Sequence, residues 1–168
     1  MVQMRNVGSE SGIDWNDVIC TDLPGKDPST WLEDGDIVFA ARGRSNYAVL
    51  AQGCLERSVL SPHFFQIRPD TSKVIPSFLA WQLNQQPVRK YFSMSAEGSA
   101  VVGIRKAVLE STPLQLPAIE EQRQMMKIVD CWKKQRVVIR EMTENHEQFM
   151  DAIADKVLNR SSELGRQE

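Results

Sequence analysis

Hydrophobic residues in the first 70 positions come in short runs that are separated by Gly, Pro, Asn and Asp. Runs of this length with turn residues between them are typical of β-strands. The pattern predicts four strands, over residues 2–7, 35–41, 47–51 and 64–68. We therefore expect the first part of the chain to form an irregular β-rich core.

The period of the pattern changes to a helical one after residue 74. Pro76 suits the first position of a helix, where its missing N–H needs no partner, and apolar residues follow it at helical spacing. Pro87 predicts the start of a second short helix. From Val108 the chain is expected to be extended through Pro113 and Pro117, because proline disfavours helix in itself and in the residue before it.

A long uninterrupted helix is predicted next, since residues 119–160 contain no Pro or Gly. At 1.5 Å per residue it would be about 60 Å long. A heptad pattern with Met125 at position a places Trp132, Ile139, His146 and Ile153 at later a positions. The d positions are Ile128, Gln135, Met142, Phe149 and Lys156, and seven of these ten residues are apolar.

An apolar seam of this length exceeds what a core of the preceding residues can cover, so the helix is expected to protrude and pair with a similar helix. The alternative is a helix folded back entirely onto its own domain, because tertiary packing stabilises most amphipathic helices. Gln135 and His146 interrupt the seam and are expected to fix its register. The predicted dimer interface comprises Met125, Ile128, Trp132, Ile139, Met142, Phe149 and Ile153.

These elements predict an α+β fold in which a β-rich domain with small packed helices is followed by one long coiled-coil helix. The expected boundaries are residues 1–118 for the first domain and 119–160 for the helix. The polar residues 161–168 are expected to form a frayed tail.

Charge is unevenly distributed along the 168 residues, although the formal net charge is only −2. Residues 1–36 contain eight acids and two bases, whereas residues 37–118 contain nine bases and four acids. The low net charge argues against nucleic-acid binding over the whole surface. A basic middle segment is compatible with a local nucleic-acid face, and a solvated surface of mixed charge is the alternative.

Several other classes of protein are disfavoured by the sequence. The chain has no apolar run long enough to span a bilayer and no secretory signal at its N-terminus, so a cytoplasmic location is expected. The cysteines have no paired spacing, and two distant histidines do not predict a metal site, so neither a disulfide framework nor a catalytic centre is expected. Gly98 and Gly103 have the glycine spacing of a P-loop, but the Lys that must follow is absent.

Four local motifs resemble, in their order along the chain, the DNA specificity subunit of Type I restriction-modification systems. They are VQMRNV with the acidic GIDWNDV; LEDGDIVFAARG; SPHFFQIRPD leading into FLAWQLNQQPVRKYF; and GSAVVGI with LQLPAIEEQRQM. The resemblance covers nearly the whole chain. It implies a target recognition domain followed by a long helix, and it makes residues 97–122 the junction between them.

The family's arrangement has two recognition domains and two antiparallel helices, whereas this chain has one of each. The resemblance therefore implies a half-subunit that would form a homodimer and read a two-part target in double-stranded DNA. It implies no catalysis by this chain and no cofactor in it. A methyltransferase subunit, with its S-adenosylmethionine, and a restriction or translocase subunit are the implied partners, in defence against foreign DNA.

Two loops are the candidates for DNA contacts, because Arg and Lys read guanine, Asn reads adenine and Ser binds phosphate. The first is the RGRSN loop, with Arg42, Arg44, Ser45 and Asn46, and the second contributes Ser99, Arg105 and Lys106. The first loop directly follows an apolar strand, which would aim it rigidly. An ordinary polar hairpin turn is the alternative for this loop.

Three alternatives to a functional specificity subunit remain at this point. An assembly protein would keep the helix but bind no DNA. A shortened, inactive remnant is the second alternative, because the segment that usually precedes the VQMRNV motif in the family is missing. A metal nuclease is less favoured, since Pro69 and Asp70 resemble the start of a nuclease motif but the required Glu-x-Lys or Asp-x-Lys does not follow.

Overall fold

A computed structural model describes residues 1–22, 27, 30–95 and 102–164. It divides into two compact units, Met1–Met125 and Met126–Glu168, and the division falls inside the last helix. The helices are α1 (Pro76–Leu83), α2 (Gln86–Ser95), α3 (Lys106–Glu110) and α4 (Ile119–Leu164). The strands are β1 (Val7–Gly8), β2 (Gly12–Ile13), β3 (Ile37–Ala40), β4 (Arg42–Gly43), β5 (Ala48–Leu50), β6 (Phe64–Ile67) and β7 (Val102–Gly103).

The centre of the first unit is a three-stranded antiparallel sheet with the order β5-β3-β6. All four residues of β3 are buried, because this strand lies between two neighbours and is covered on both faces. Two further antiparallel strand pairs, β1 with β2 and β4 with β7, lie outside this sheet. The α+β class predicted from the sequence is confirmed.

Helices α1 and α2 pack on this sheet. The rings of Phe39 on β3 and Phe92 on α2 lie 5.1 Å apart between centroids, within the range of favourable aromatic pairs. At the end of α1, the Asn84 side chain accepts a hydrogen bond from the Ala48 N–H (2.9 Å) and donates one to the Ala48 carbonyl (2.7 Å). This side chain therefore pairs with the edge strand β5 much as a further strand would.

The strand predicted over residues 2–7 is wrong for most of its length. Val2 forms an isolated parallel bridge to Leu60, and Met4–Asn6 is a short 3₁₀-helix. The cause is the buried Asn6, whose side chain accepts from the Gln3 N–H (2.9 Å) and donates to the Asp17 carbonyl (2.9 Å). Local side-chain bonds of this kind compete with strand pairing.

The predicted starts of the helices agree more closely with the structure. Pro76 is the first residue of α1, Pro87 is the second residue of α2, and α4 begins at Ile119. The extended approach predicted from Val108 begins later, because α3 includes Val108 and Leu109. None of the helices in the described residues combines the length and the apolar character needed to cross a membrane.

The first turn of α4 is anchored to the β-rich unit by Gln122, which is fully buried. Its side chain accepts a hydrogen bond from the Ile75 N–H (2.8 Å) and donates to the carbonyls of Lys73 (3.1 Å) and Pro117 (2.8 Å). One side chain therefore connects the turn before α1, the approach to α4 and α4 itself.

A candidate nucleic-acid interface

The β4–β7 pair brings the two candidate DNA-contacting loops together. Arg42 lies opposite Gly103 and Gly43 opposite Val102 in the antiparallel register. The Ile104 N–H extends this pairing by donating to the Ala41 carbonyl over 2.8 Å. The segment that contains Arg42 and Arg44 thus lies beside the segment that leads into α3, although about 60 residues separate the two segments in sequence.

This pairing is held by the core on both sides. The N–H groups of Ala41 and Arg42 donate to the His63 carbonyl over 3.0 and 3.3 Å, just before β6. Ala41 and Ile104 are buried, at 3% and 4% exposure. The backbone beneath the basic side chains is therefore fixed to the central sheet, and a rigid support of this kind suits a recognition surface.

Most of the candidate side chains are exposed to solvent. Arg42, Arg44 and Ser45 are exposed, and so are Arg105 and Lys106 on the other loop. The Lys106 ammonium lies 3.5 Å from the Glu110 carboxylate one turn later in α3, and such an exposed ion pair is weak. Ser99 lies outside the described residues.

Asn46 has a structural contact in this loop. Its side-chain amide donates to the Ala40 carbonyl over 2.9 Å, while the Ala40 N–H donates to the Tyr47 carbonyl over 2.8 Å. The two bonds close the loop between β3 and β5 and so hold Arg42 and Arg44 in place. A role of Asn46 in reading adenine stays a prediction.

Glycine is required at position 43. Gly43 has a backbone φ of +140°, which side-chain-bearing residues rarely adopt. A Cβ atom there would also lie 3.1 Å from the Met4 Cε. The sequence Arg-Gly-Arg therefore combines two cations with the one residue type that lets the strand turn at this point.

His63 is a residue of this surface that sequence reasoning did not single out. It is exposed, and its carbonyl binds the β4 backbone, so it lies beside Arg42. A neutral imidazole can donate to or accept from base edges and phosphates. The signal in the sequence was its place directly before a strand that pairs with β3, but only the sheet register shows the proximity.

An acidic cavity lies elsewhere on the first unit. Its lining includes Glu33, Asp34 and Glu56, together with Trp31, Cys54 and Arg57. Burial raises the pKa of the Cys54 thiol to about 12, with a further contribution from its hydrogen bond to Asp34. Negative charge in this cavity disfavours DNA phosphate, which leaves the β4–β7 surface as the better candidate.

Asp70, the residue that resembled the start of a nuclease motif, has local partners. Its carboxylate accepts from the Ser72 hydroxyl (2.6 Å) and N–H (3.1 Å), and the Lys73 ammonium lies 3.1 Å away. The hydrogen bonds from Ser72 and the contact with Lys73 lower the pKa of Asp70 to about 2. Within the described ranges, no group of three or more His, Cys, Asp or Glu side chains is placed to hold a metal ion.

The second unit carries an apolar stripe along α4. Residues 130–156 are all exposed in the single chain. Its large apolar side chains are Ile128, Ile139, Met142 and Phe149, which are 62% to 70% exposed, and the less exposed Trp132 and Ile153. Exposed apolar rows of this size are typical of interaction surfaces.

The family model of the Type I restriction modification DNA specificity domain matches residues 10–145. The match spans far more than half of the chain and contains both candidate loops as well as most of the apolar stripe. The chain belongs to this family, whose members recognise DNA for restriction-modification systems. No curated protein matches the sequence closely enough to refine this assignment.

Proposed function

We propose that this protein is a half-sized specificity subunit that reads a two-part DNA target and positions a methyltransferase on it. The observation that carries the proposal is the β4–β7 pairing, which joins two basic loops that are distant in sequence into one exposed surface. Family membership supplies the class of ligand, and the surface supplies a place for it.

The chemistry of this surface fits recognition of DNA. Guanidinium groups such as those of Arg42 and Arg44 bind guanine O6 and N7 in the major groove with two hydrogen bonds. Ammonium groups such as that of Lys106 bind phosphate and fix the register of the protein on the duplex. The chain itself would carry out no reaction, and the methyltransferase would bring S-adenosylmethionine.

The apolar stripe on α4 supports a homodimer in this proposal. Two copies paired through α4 would carry two copies of the recognition surface, and a symmetric protein reads a symmetric target. The same helical region would also offer the methyltransferase, and a restriction or translocase subunit, a surface to bind.

Equilibrium DNA binding tests the proposal. The chain is combined with a methyltransferase subunit of a Type I system, and its affinity for duplex DNA is measured over a series of salt concentrations. Specific binding should weaken linearly on a logarithmic plot against salt as counterions are released. An assembly protein without DNA recognition would add neither affinity nor sequence preference to the methyltransferase, and that result would overturn the proposal.

A further inference from the structure

Charge is segregated along residues 127–155 of α4, which lie between the acidic first turn, with Glu120 and Glu121, and Lys156. The half before residue 141 carries the bases and the half after it carries the acids. Only Asp130 breaks the pattern in the first half, and no Lys or Arg occurs between residues 141 and 155. The bases are Lys127, Lys133, Lys134, Arg136 and Arg140, and the acids are Glu141, Glu144, Glu147, Asp151 and Asp155.

This segregation is complementary to itself only when two copies lie antiparallel. In that orientation the basic half of each helix lies along the acidic half of the other. The dipole of α4 has its positive end at the start of the helix, which is also the end nearer to the bases. It therefore favours the same antiparallel orientation. In a parallel pair, each half would instead face a half of like charge, which is unfavourable.

The two polar residues of the apolar stripe give a second, independent indication. We infer that two copies of α4 pair antiparallel about a point between Arg140 and Glu141, so that Gln135 of each copy faces His146 of the other. In an antiparallel pair, a positions face d positions of the partner helix. This register makes three further layers apolar, Trp132 against Phe149, Ile139 against Met142, and Ile128 against Ile153, and it places Met125 against Lys156 in the layer at each end.

A shift by one heptad in either direction destroys this match. One shift places Gln135 against Ile139 and His146 against Ile128. The other places Gln135 against Ile153 and His146 against Met142. Each shifted register leaves buried polar groups facing apolar side chains, which costs free energy because their hydrogen bonds to water are not replaced. The polar layers and the charge boundary therefore select the same midpoint, between residues 140 and 141.

The register would determine the spacing of the target. A shift of one heptad changes the axial distance between the two helix starts by about 10 Å, given a rise of 1.5 Å per residue. That distance corresponds to about three base pairs of DNA. This inference rests on the homodimer of the proposed function. The antiparallel orientation agrees with the family's arrangement, and the register is what the inference adds.

Disulfide mapping tests the register on the full-length chain without DNA or methyltransferase. Cys20 and Cys131, which are exposed, are changed to Ser, and the half-buried Cys54 is kept in every sample. Two proteins, Ile128→Cys and Ile153→Cys, one of them tagged, are oxidised mildly, separately and as a mixture. The mixture should give at least ten times more disulfide-linked dimer than either protein alone, because like cysteines would lie about 38 Å apart along the axis.

Other patterns of cross-linking would overturn the inference. Dimer from Ile128→Cys alone would show a parallel pair. Dimer from Ile128→Cys mixed with His146→Cys, or from Gln135→Cys mixed with Ile153→Cys, would show a shifted register. A monomeric mass of the wild-type chain in light scattering would exclude self-pairing altogether. DNA binding with the methyltransferase is measured separately, so failure of the register and failure of DNA recognition are distinguishable.

Discussion

The side-chain oxygen of Gln122 accepts a hydrogen bond from the backbone N–H of Ile75 over 2.8 Å, across 47 positions of sequence. Gln122 also donates to two backbone carbonyls and is fully buried. The first turn of the long helix is therefore a fixed part of the β-rich unit rather than a flexible attachment to it.

Gln122→Ala should lower the free energy of unfolding by about 2–4 kcal/mol, because it leaves buried backbone groups without partners. The neighbouring Gln124 is exposed, and Gln124→Ala should change stability by less than about 0.5 kcal/mol. Urea denaturation of both variants measures the difference. Equal stability of the two variants would show that the Gln122 contacts do not anchor the helix.

Asp36 predicts a dependence of stability on pH. Burial raises the pKa of this carboxyl, but hydrogen bonds from Arg68, the Glu33 N–H and Gln66, with the charge of Arg68, outweigh it and leave the pKa below its usual value. Asp36 therefore stabilises the fold at neutral pH, and this contribution is lost as the pH falls through the lowered pKa.

Asp36→Asn should cost about 2 kcal/mol at pH 7 and flatten the fall in stability below about pH 4, because it weakens the charge-assisted bonds that Arg68 makes at 2.9 Å. Asp17→Asn is the control, since the Asp17 carboxylate forms an exposed ion pair with Arg5 at 3.5 Å. Chemical denaturation over a pH series measures both. An unchanged slope in Asp36→Asn would contradict the assignment.

Gly43→Ala should destabilise the fold by about 1–3 kcal/mol because of its φ of +140°. Gly103, which belongs to the facing strand, is the matched control, since a Cβ there would meet no atom within 4 Å. Thermal unfolding of the two Ala variants compares them. A loss in Gly103→Ala as large as that in Gly43→Ala would mean that the backbone at Gly43 is not the cause.

Arg42→Ala and Arg44→Ala should each weaken binding of the methyltransferase complex to its DNA target by about 1–3 kcal/mol and relax the preference at one base pair. Lys106→Ala should weaken binding to all DNA sequences alike. It should also reduce the slope of log affinity against log salt concentration by about one. Lys73→Ala is the control for Lys106→Ala, because Lys73 also belongs to an exposed ion pair but lies in another turn. It should have little effect on DNA binding. Fluorescence anisotropy with variant targets separates these outcomes.

Ile139→Lys combined with Phe149→Lys should convert a dimer into a folded monomer, because both side chains belong to the apolar stripe and are exposed in the single chain. Val137→Lys with Gln148→Lys adds the same charge at exposed outer positions of the same helix and should leave the mass unchanged. Light scattering gives the masses, and circular dichroism checks the folding. A wild-type monomer would contradict the homodimer.

Much of the helical structure was predictable because proline positions and periodicity are local signals. Pro76 and the Pro-free run from Ile119 mark helices in the sequence as they do in the structure. The strand expected over residues 2–7 failed for a local reason too, the side-chain bonds of Asn6, which no hydrophobic pattern reveals.

The candidate surface was predictable in its residue types but not in its assembly. Arg42 and Arg105 were both chosen for their chemistry, yet only the register of β4 with β7 shows that their loops adjoin. Pairing between segments about 60 residues apart depends on tertiary packing. For the same reason Gln122 was overlooked, since a glutamine in the first turn of a helix looks like an ordinary exposed residue in the sequence.

The most direct test of the central claim is selection of DNA from a random duplex library by the chain together with a methyltransferase subunit. We expect the selected molecules to share one short sequence in two inverted copies at a fixed spacing, and this enrichment should disappear when Arg42 and Arg44 are both changed to Ala. Recovery of DNA without any shared sequence, by a complex that is demonstrably assembled, would contradict sequence-specific recognition by this chain.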